Sequence, residues 1–168
     1  MTDEPIPSPR KRFEELLFVK MPYVVSGTLF LIAAAINIVN VIARYVFFKP
    51  IFWAEEILIF IVIWTVFVVA GAITYRGAHL SMDLIYNTLK PPLKIAVNCM
   101  ITVTFLVCAV FTAVESWKVL LLHYRNGSVT AATGIPLVLP HSAVLFGFGF
   151  MALAVIVRLR AYITGKFD

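Results

Sequence analysis

Four stretches of this sequence run without a charge, and charged or turn-forming clusters separate them. The first covers residues 21–43, twenty-three positions, and the second covers 57–75, nineteen positions. The third covers 95–114, and the fourth starts near Pro136 or Pro140 and ends at Val157. About 20 apolar residues in a helix cross a hydrocarbon core. With their flanks, the runs predict transmembrane helices over residues 21–43, 55–75, 93–122 and 137–157. The fold class is therefore an all-α membrane protein with four spans, read as one integral domain over 1–168. No fixed-period repeat is visible, and no stretch outside the spans is long enough for a soluble domain.

Two shorter segments show a helical pattern of another kind. In 9–20, Ser8 and Pro9 make a good helix start, and Phe13, Leu16 and Leu17 recur against Arg10, Lys11, Glu14 and Glu15. This segment reads either as an interfacial helix on the membrane surface or as an extension of the first span. A second amphipathic interfacial helix is expected over 81–90, between the second and third spans, where Ser81 can cap a helix with Met82, Ile85 and Leu89 on one side and Asp83, Asn87 and Lys90 on the other. Pro91-Pro92 ends it. A basic segment before the first run, with Ala33-Ala34-Ala35 inside it, could mimic a signal peptide. The run stays apolar to Ala43, which favours an uncleaved anchor.

Composition agrees with the pattern. The chain is 61% hydrophobic and 14% charged, with a mean hydropathy of +0.95, too little polar surface to cover a soluble globule of this size. The net charge of +5 does not point to nucleic acid, because the basic residues lie between apolar runs and not on one face. Counted by loop, ten of them fall on the side of the termini and four (Arg44, Lys49, Lys118, Arg125) on the other. The positive-inside rule then places both termini in the cytoplasm, N-in and C-in. Cys99 and Cys108 are nine residues apart on one helix, too far along the axis to bridge, and read as buried small hydrophobes.

Within the spans the polar residues are few. Asn37 and Asn40 are expected to hydrogen-bond to a neighbouring helix. On the second span Trp53, Phe60, Trp64, Phe67 and Gly71 form a nearly straight stripe that suits close packing against another helix. On the fourth, Ala143 and Gly147 form a small-xxx-small face. Glu115 and Lys118 can pair at i, i+3 where the third helix leaves the membrane.

Chemistry is sparse. His79 falls near one membrane side, and His123 and His141 near the other. Two facing imidazoles could hold a haem, and His123 with His141 could only just do so. No nucleophile–base set, phosphate loop or Cys-rich ligand set is present, so neither an enzyme nor a bound cofactor or metal is expected. An autonomous small transporter needs a carboxylate well inside a span. Here Glu55, Glu56, Asp83 and Glu115 all sit at span ends. Such a chain reads as a support for another protein.

Arg44-Tyr-Val-Phe, Pro50, Trp53-Ala-Glu55-Glu56, Trp64, Gly71-Ala72 and Arg76-Gly-Ala-His79 resemble the small membrane subunit of tripartite ATP-independent periplasmic (TRAP) transporters, the DctQ type. Thr133-Gly134-Ile135-Pro136 resembles that family's Gly-x-Pro before the last helix, while the region after Pro140 departs from its pattern. The resemblance covers roughly residues 15–160. It implies an accessory role in a bacterial inner membrane. A periplasmic binding protein captures an organic acid anion, a large membrane subunit imports it with sodium, and the small subunit stabilises that partner's scaffold. Arg44, Trp53, Glu55, Glu56, Phe60, Trp64, Phe67, Gly71, Arg76 and His79 are then the expected partner-binding residues. Of the two adjacent carboxylates, one is expected to pair with Arg44 and the other to meet a basic group on the large subunit. A helix dipole alone accounts for one of them.

Overall fold

The computed structural model describes residues 9–77 and 91–164. Helix α1 (Pro9–Glu15) passes through a π-helical turn (Leu16–Lys20) directly into α2 (Met21–Tyr45). Helix α3 spans Phe52–Tyr75, α4 Pro91–Asn126, α5 Val138–Val157 and α6 Leu159–Thr164. Four of these helical runs are long and apolar enough to cross a membrane. Segment 81–90 and His79 lie outside the described residues.

The long helices pack in the order α2, α3, α5, α4. They form an open row, with α2 and α4 at its ends, and not a closed bundle. Helix α5 has covered neighbours on both sides: 39% of its most apolar stretch is buried, against 11–17% for the other three spans. The end helix α4 is covered along one side only. Cys99 and Cys108 consequently lie exposed on it, where the sequence had suggested burial. In a bilayer such faces meet lipid or another helix, and close packing rather than water exclusion holds helices together.

Small residues allow that packing. Ala54, Gly71 and Ala72 on α3 and Ala143, Gly147 and Ala154 on α5 are all buried. The polar side chains of the apolar runs are satisfied either across a helix contact or within their own helix. Ser26 on α2 donates to the Thr65 carbonyl on α3 at 3.5 Å. Thr74 and Thr102 bond back to their own helices at 2.8 and 2.7 Å.

The end of the row carrying the chain termini is closed by aromatics. Phe18 stacks on Tyr75 at 4.8 Å and on Phe150 at 5.2 Å between ring centres. With Val19 and Ala154 these residues form the main buried cluster. The π-helical turn is what brings Phe18 and Val19 inward. One extra residue in the turn rotates the face that follows it, and Phe13, Leu16 and Leu17 stay exposed. Thus the apolar set seen in the 9–20 pattern is not the set that packs. Tyr162 on α6 donates its hydroxyl to the Thr74 carbonyl, and burial pushes its phenol up to about 12. It stays a neutral donor over the physiological range.

Candidate functional site: the charged end and the aromatic seam

At the opposite end, two loops meet the start of α3. The first is the tight connection from α2. Past Tyr45 the Lys49 amide closes back on the Ala43 carbonyl at 3.0 Å, with Phe48 at φ 54°. A positive φ is uncommon for a bulky residue, and the chain then runs through Pro50 to an extended Ile51. This U-turn lets buried Asn40 reach across, its Oδ1 accepting from the Ile51 amide at 3.0 Å. Ile51 is the residue from which α3 begins. Asn40 therefore satisfies a donor that the start of the helix leaves without an intrahelical partner. Asn37, one turn earlier, stays exposed.

The second loop joins α4 to α5 and is a compact hairpin. Gly127 (φ 58°) ends α4, Val129 and Pro136 form an antiparallel bridge, and Gly134 (φ 67°) makes the turn. Thr130 donates its amide to the Ile135 carbonyl at 2.9 Å, and Leu137 donates to Ser128 at 3.0 Å. Both glycines hold left-handed conformations that residues with a Cβ rarely adopt.

Glu55 and Glu56 part between these loops. Glu55 pairs with Arg44 of α2, both groups on the surface. Glu56 accepts from the Ala132 amide at 2.8 Å, the Thr133 amide at 3.0 Å and the Thr133 hydroxyl at 2.6 Å. The partner of the second carboxylate is therefore this hairpin, within the same chain, where a basic group on another subunit had been expected. A carboxylate has only acceptors, and two successive amides with a hydroxyl match both of its oxygens. Adjacent helix positions point about 100° apart, which is why one residue ties α3 to α2 and the next ties it to the loop before α5.

The Arg44–Glu55 pair has side chains 46% and 63% exposed, so water screens it. A double-mutant cycle of Arg44→Gln and Glu55→Gln, followed by chemical unfolding, should give a coupling of about 1 kcal/mol or less. A coupling indistinguishable from zero removes the pair as a stabilising contact. The pair of Glu115 and Lys118, at 2.7 Å, lies apart from this cluster on α4.

The stripe on α3 divides in two. Its distal half is taken up by α5. Phe67 tilts against Phe148 with ring centres 5.8 Å apart, and Gly71 lies under the Phe150 ring. Gly147 of α5 in turn receives Phe67. For Phe67 and Gly71 the facing helix thus belongs to this chain, not to a partner. Trp64 touches Phe146 at 5.9 Å, and with Phe60 it also lines an open apolar groove of about 680 Å³ between α2, α3 and α5. Trp53 is exposed. Arg76, at the far end of α3, stands over the Tyr23 ring at 5.3 Å.

Comparison with known families adds the deciding observation: residues 33–165 match the family described as Tripartite ATP-independent periplasmic transporters, DctQ component. The chain belongs to the DctQ family. A comparison with curated proteins found no match. DctQ proteins are transporter components, not enzymes, and work with a large membrane subunit and a binding protein. Membership and four apolar helices make this chain an integral membrane protein. The match includes all of α3, the charged end and the hairpin, and begins after the π-helical turn.

Asn40 and Thr133 are the two residues of the charged end that the sequence pattern did not single out for it. Asn40 carries a local signal, an amide side chain one turn before Arg44 and just ahead of a Pro turn. Thr133 stands in the Thr133-Gly134-Ile135-Pro136 motif, but nothing local marks it as the partner of Glu56, which lies seventy-seven positions away.

Proposed function

We propose that this DctQ chain is the accessory small membrane subunit of a sodium-driven TRAP symporter. It binds and stabilises the scaffold of the large membrane subunit and carries no transport site of its own. The complex imports an organic acid anion delivered by a periplasmic binding protein across the bacterial inner membrane, and both termini of this chain are cytoplasmic. The observation that carries the reading is the open row of helices. A row of four spans leaves two broad apolar faces. Among the described residues its carboxylates lie at helix ends or, as with Glu115, beside a lysine one turn on. An ion path needs a carboxylate or carbonyl cluster deep within the spans; a brace needs rigid faces.

The α3 face carrying Trp53, Phe60 and Trp64 is the one we assign to the large subunit, together with Arg76 at the cytoplasmic end of α3 and with His79, which lies outside the described residues. Trp is over-represented among residues that dominate interface energy, and an aromatic packs better on protein than on lipid tails. Trp64→Ala should weaken co-purification of the large subunit about tenfold and leave the four-span topology intact. The lone polypeptide in liposomes should show no sodium-driven organic acid uptake, which should appear when the large subunit and binding protein are added. Uptake by the lone chain overturns the accessory role. Unchanged co-purification with Trp64→Ala assigns that face to lipid.

A further inference from the structure

The charged end holds one more constellation, apart from the contacts of Glu55 and Glu56. The last turns of α4 and the first turn of α5 bring His123 and His141 together with ring centres 4.5 Å apart and planes inclined by 50°. Both rings are half-buried. The hairpin between the two helices fixes their approach at its neck, where Ser128 donates to the His123 carbonyl at 3.2 Å and Leu137 donates to Ser128 at 3.0 Å.

The protonation pattern of one ring follows from its partner. His141 Nδ1 lies 2.9 Å from the Leu137 carbonyl oxygen. A carbonyl oxygen only accepts, so Nδ1 carries the hydrogen. In the neutral ring the lone pair is then on Nε2. Metal-binding histidines are held in this way, one nitrogen donating to a carbonyl while the other ligates.

Ring spacing selects the kind of ligand. Two imidazoles on one ion, with metal–nitrogen bonds of about 2.0–2.1 Å and ligand angles of about 90–110°, have ring centres about 4.5–5.3 Å apart. Two axial imidazoles on opposite sides of a haem iron have centres about 6.4 Å apart. The observed 4.5 Å meets the short end of the first range, a ligand angle near 90°, and leaves no room for a porphyrin between the rings. Imidazole nitrogen suits zinc, nickel and copper(II), and suits magnesium or calcium poorly.

We propose that His123 and His141 form a two-imidazole site for a divalent ion of the zinc, nickel or copper(II) class, with water in its remaining positions. Among the described residues no cluster of three or more His, Cys, Asp or Glu forms a metal site. Two protein ligands, not four, put the affinity well below that of a structural zinc centre. The bound ion would clip the end of α4 to the start of α5, across the base of the hairpin that grips Glu56. The site does not rest on the transporter assignment.

The test uses the full-length chain in detergent, with any affinity tag cleaved and metals stripped by chelator. One equivalent of copper(II) should give an electron paramagnetic resonance spectrum with hyperfine coupling to two nitrogens. His123→Gln and His141→Gln should each reduce this to one. Zinc should raise the unfolding temperature of the unsubstituted chain and chelator should reverse it, with zinc affinity falling by about tenfold or more in each variant. A spectrum of the unsubstituted chain without two-nitrogen coupling overturns the site, whatever the variants do. So does an equal zinc response in the unsubstituted chain and both variants.

Discussion

A methyl group at Gly71 or Gly147 is expected to push α3 and α5 apart. At Gly71 an added Cβ would stand 1.9 Å from Phe150 Cδ1 and 2.5 Å from its Cε1. Phe150 has little freedom to move, because its ring is stacked on Phe18 at 5.2 Å and on Phe146 at 5.9 Å. At Gly147 the Cβ would stand 2.6 Å from the Cβ of Phe67, an atom fixed by its backbone, so here the helices themselves must separate. Overpacking of this kind costs about 1–3 kcal/mol. We expect Gly71→Ala and Gly147→Ala each to lower the thermal unfolding temperature in detergent, and Gly71→Leu to abolish the folded state. Gly149→Ala is the matched control, with nothing within 4 Å of the added carbon. If the three alanine variants unfold at the same temperature, the close approach is not what holds α3 to α5.

Glu56→Gln is expected to release the hairpin. The carboxylate accepts from two amides and one hydroxyl. A glutamine keeps one oxygen but turns an NH2 group towards amides that also donate. At least one of the Ala132 and Thr133 amides then loses its partner, and a third acceptor contact to the Thr133 hydroxyl weakens. We expect these amides to exchange hydrogen roughly tenfold faster, with the exchange of α3 itself unchanged. Glu55→Gln, whose partner is Arg44, should leave the hairpin amides as they are. Equal exchange at Ala132 and Thr133 in unsubstituted chain and Glu56→Gln would mean that the backbone bonds of the hairpin suffice without the carboxylate. Because the hairpin leads into α5, the helix covered on both sides, its release should also reduce recovery of the complex with the large subunit.

The sequence by itself determined that there are four helices long and apolar enough to span a membrane. Charge is excluded from a hydrocarbon core, so each crossing must be a long uncharged helix, and that constraint is written in consecutive residues. It also determined that Glu115 pairs with Lys118 one turn away, and that the Trp53-Ala-Glu55-Glu56 and Arg76-Gly-Ala-His79 pattern belongs to a DctQ protein. These are local facts, set by spacing within one helix or by a motif in one stretch. The tertiary structure alone decided which surfaces meet. All four helices are apolar around most of their circumference, so periodicity does not mark the covered side, and the order α2, α3, α5, α4 had to come from packing. That order assigned Phe67 and Gly71 to α5 and not to a partner, and left Cys99 and Cys108 uncovered on α4. It also paired Glu56 with Thr133, and His123 with His141, across a hairpin whose bridge of Val129 to Pro136 depends on two left-handed glycines. Contacts between residues far apart in the chain are set by how close two backbones can come, and that distance is a property of the fold.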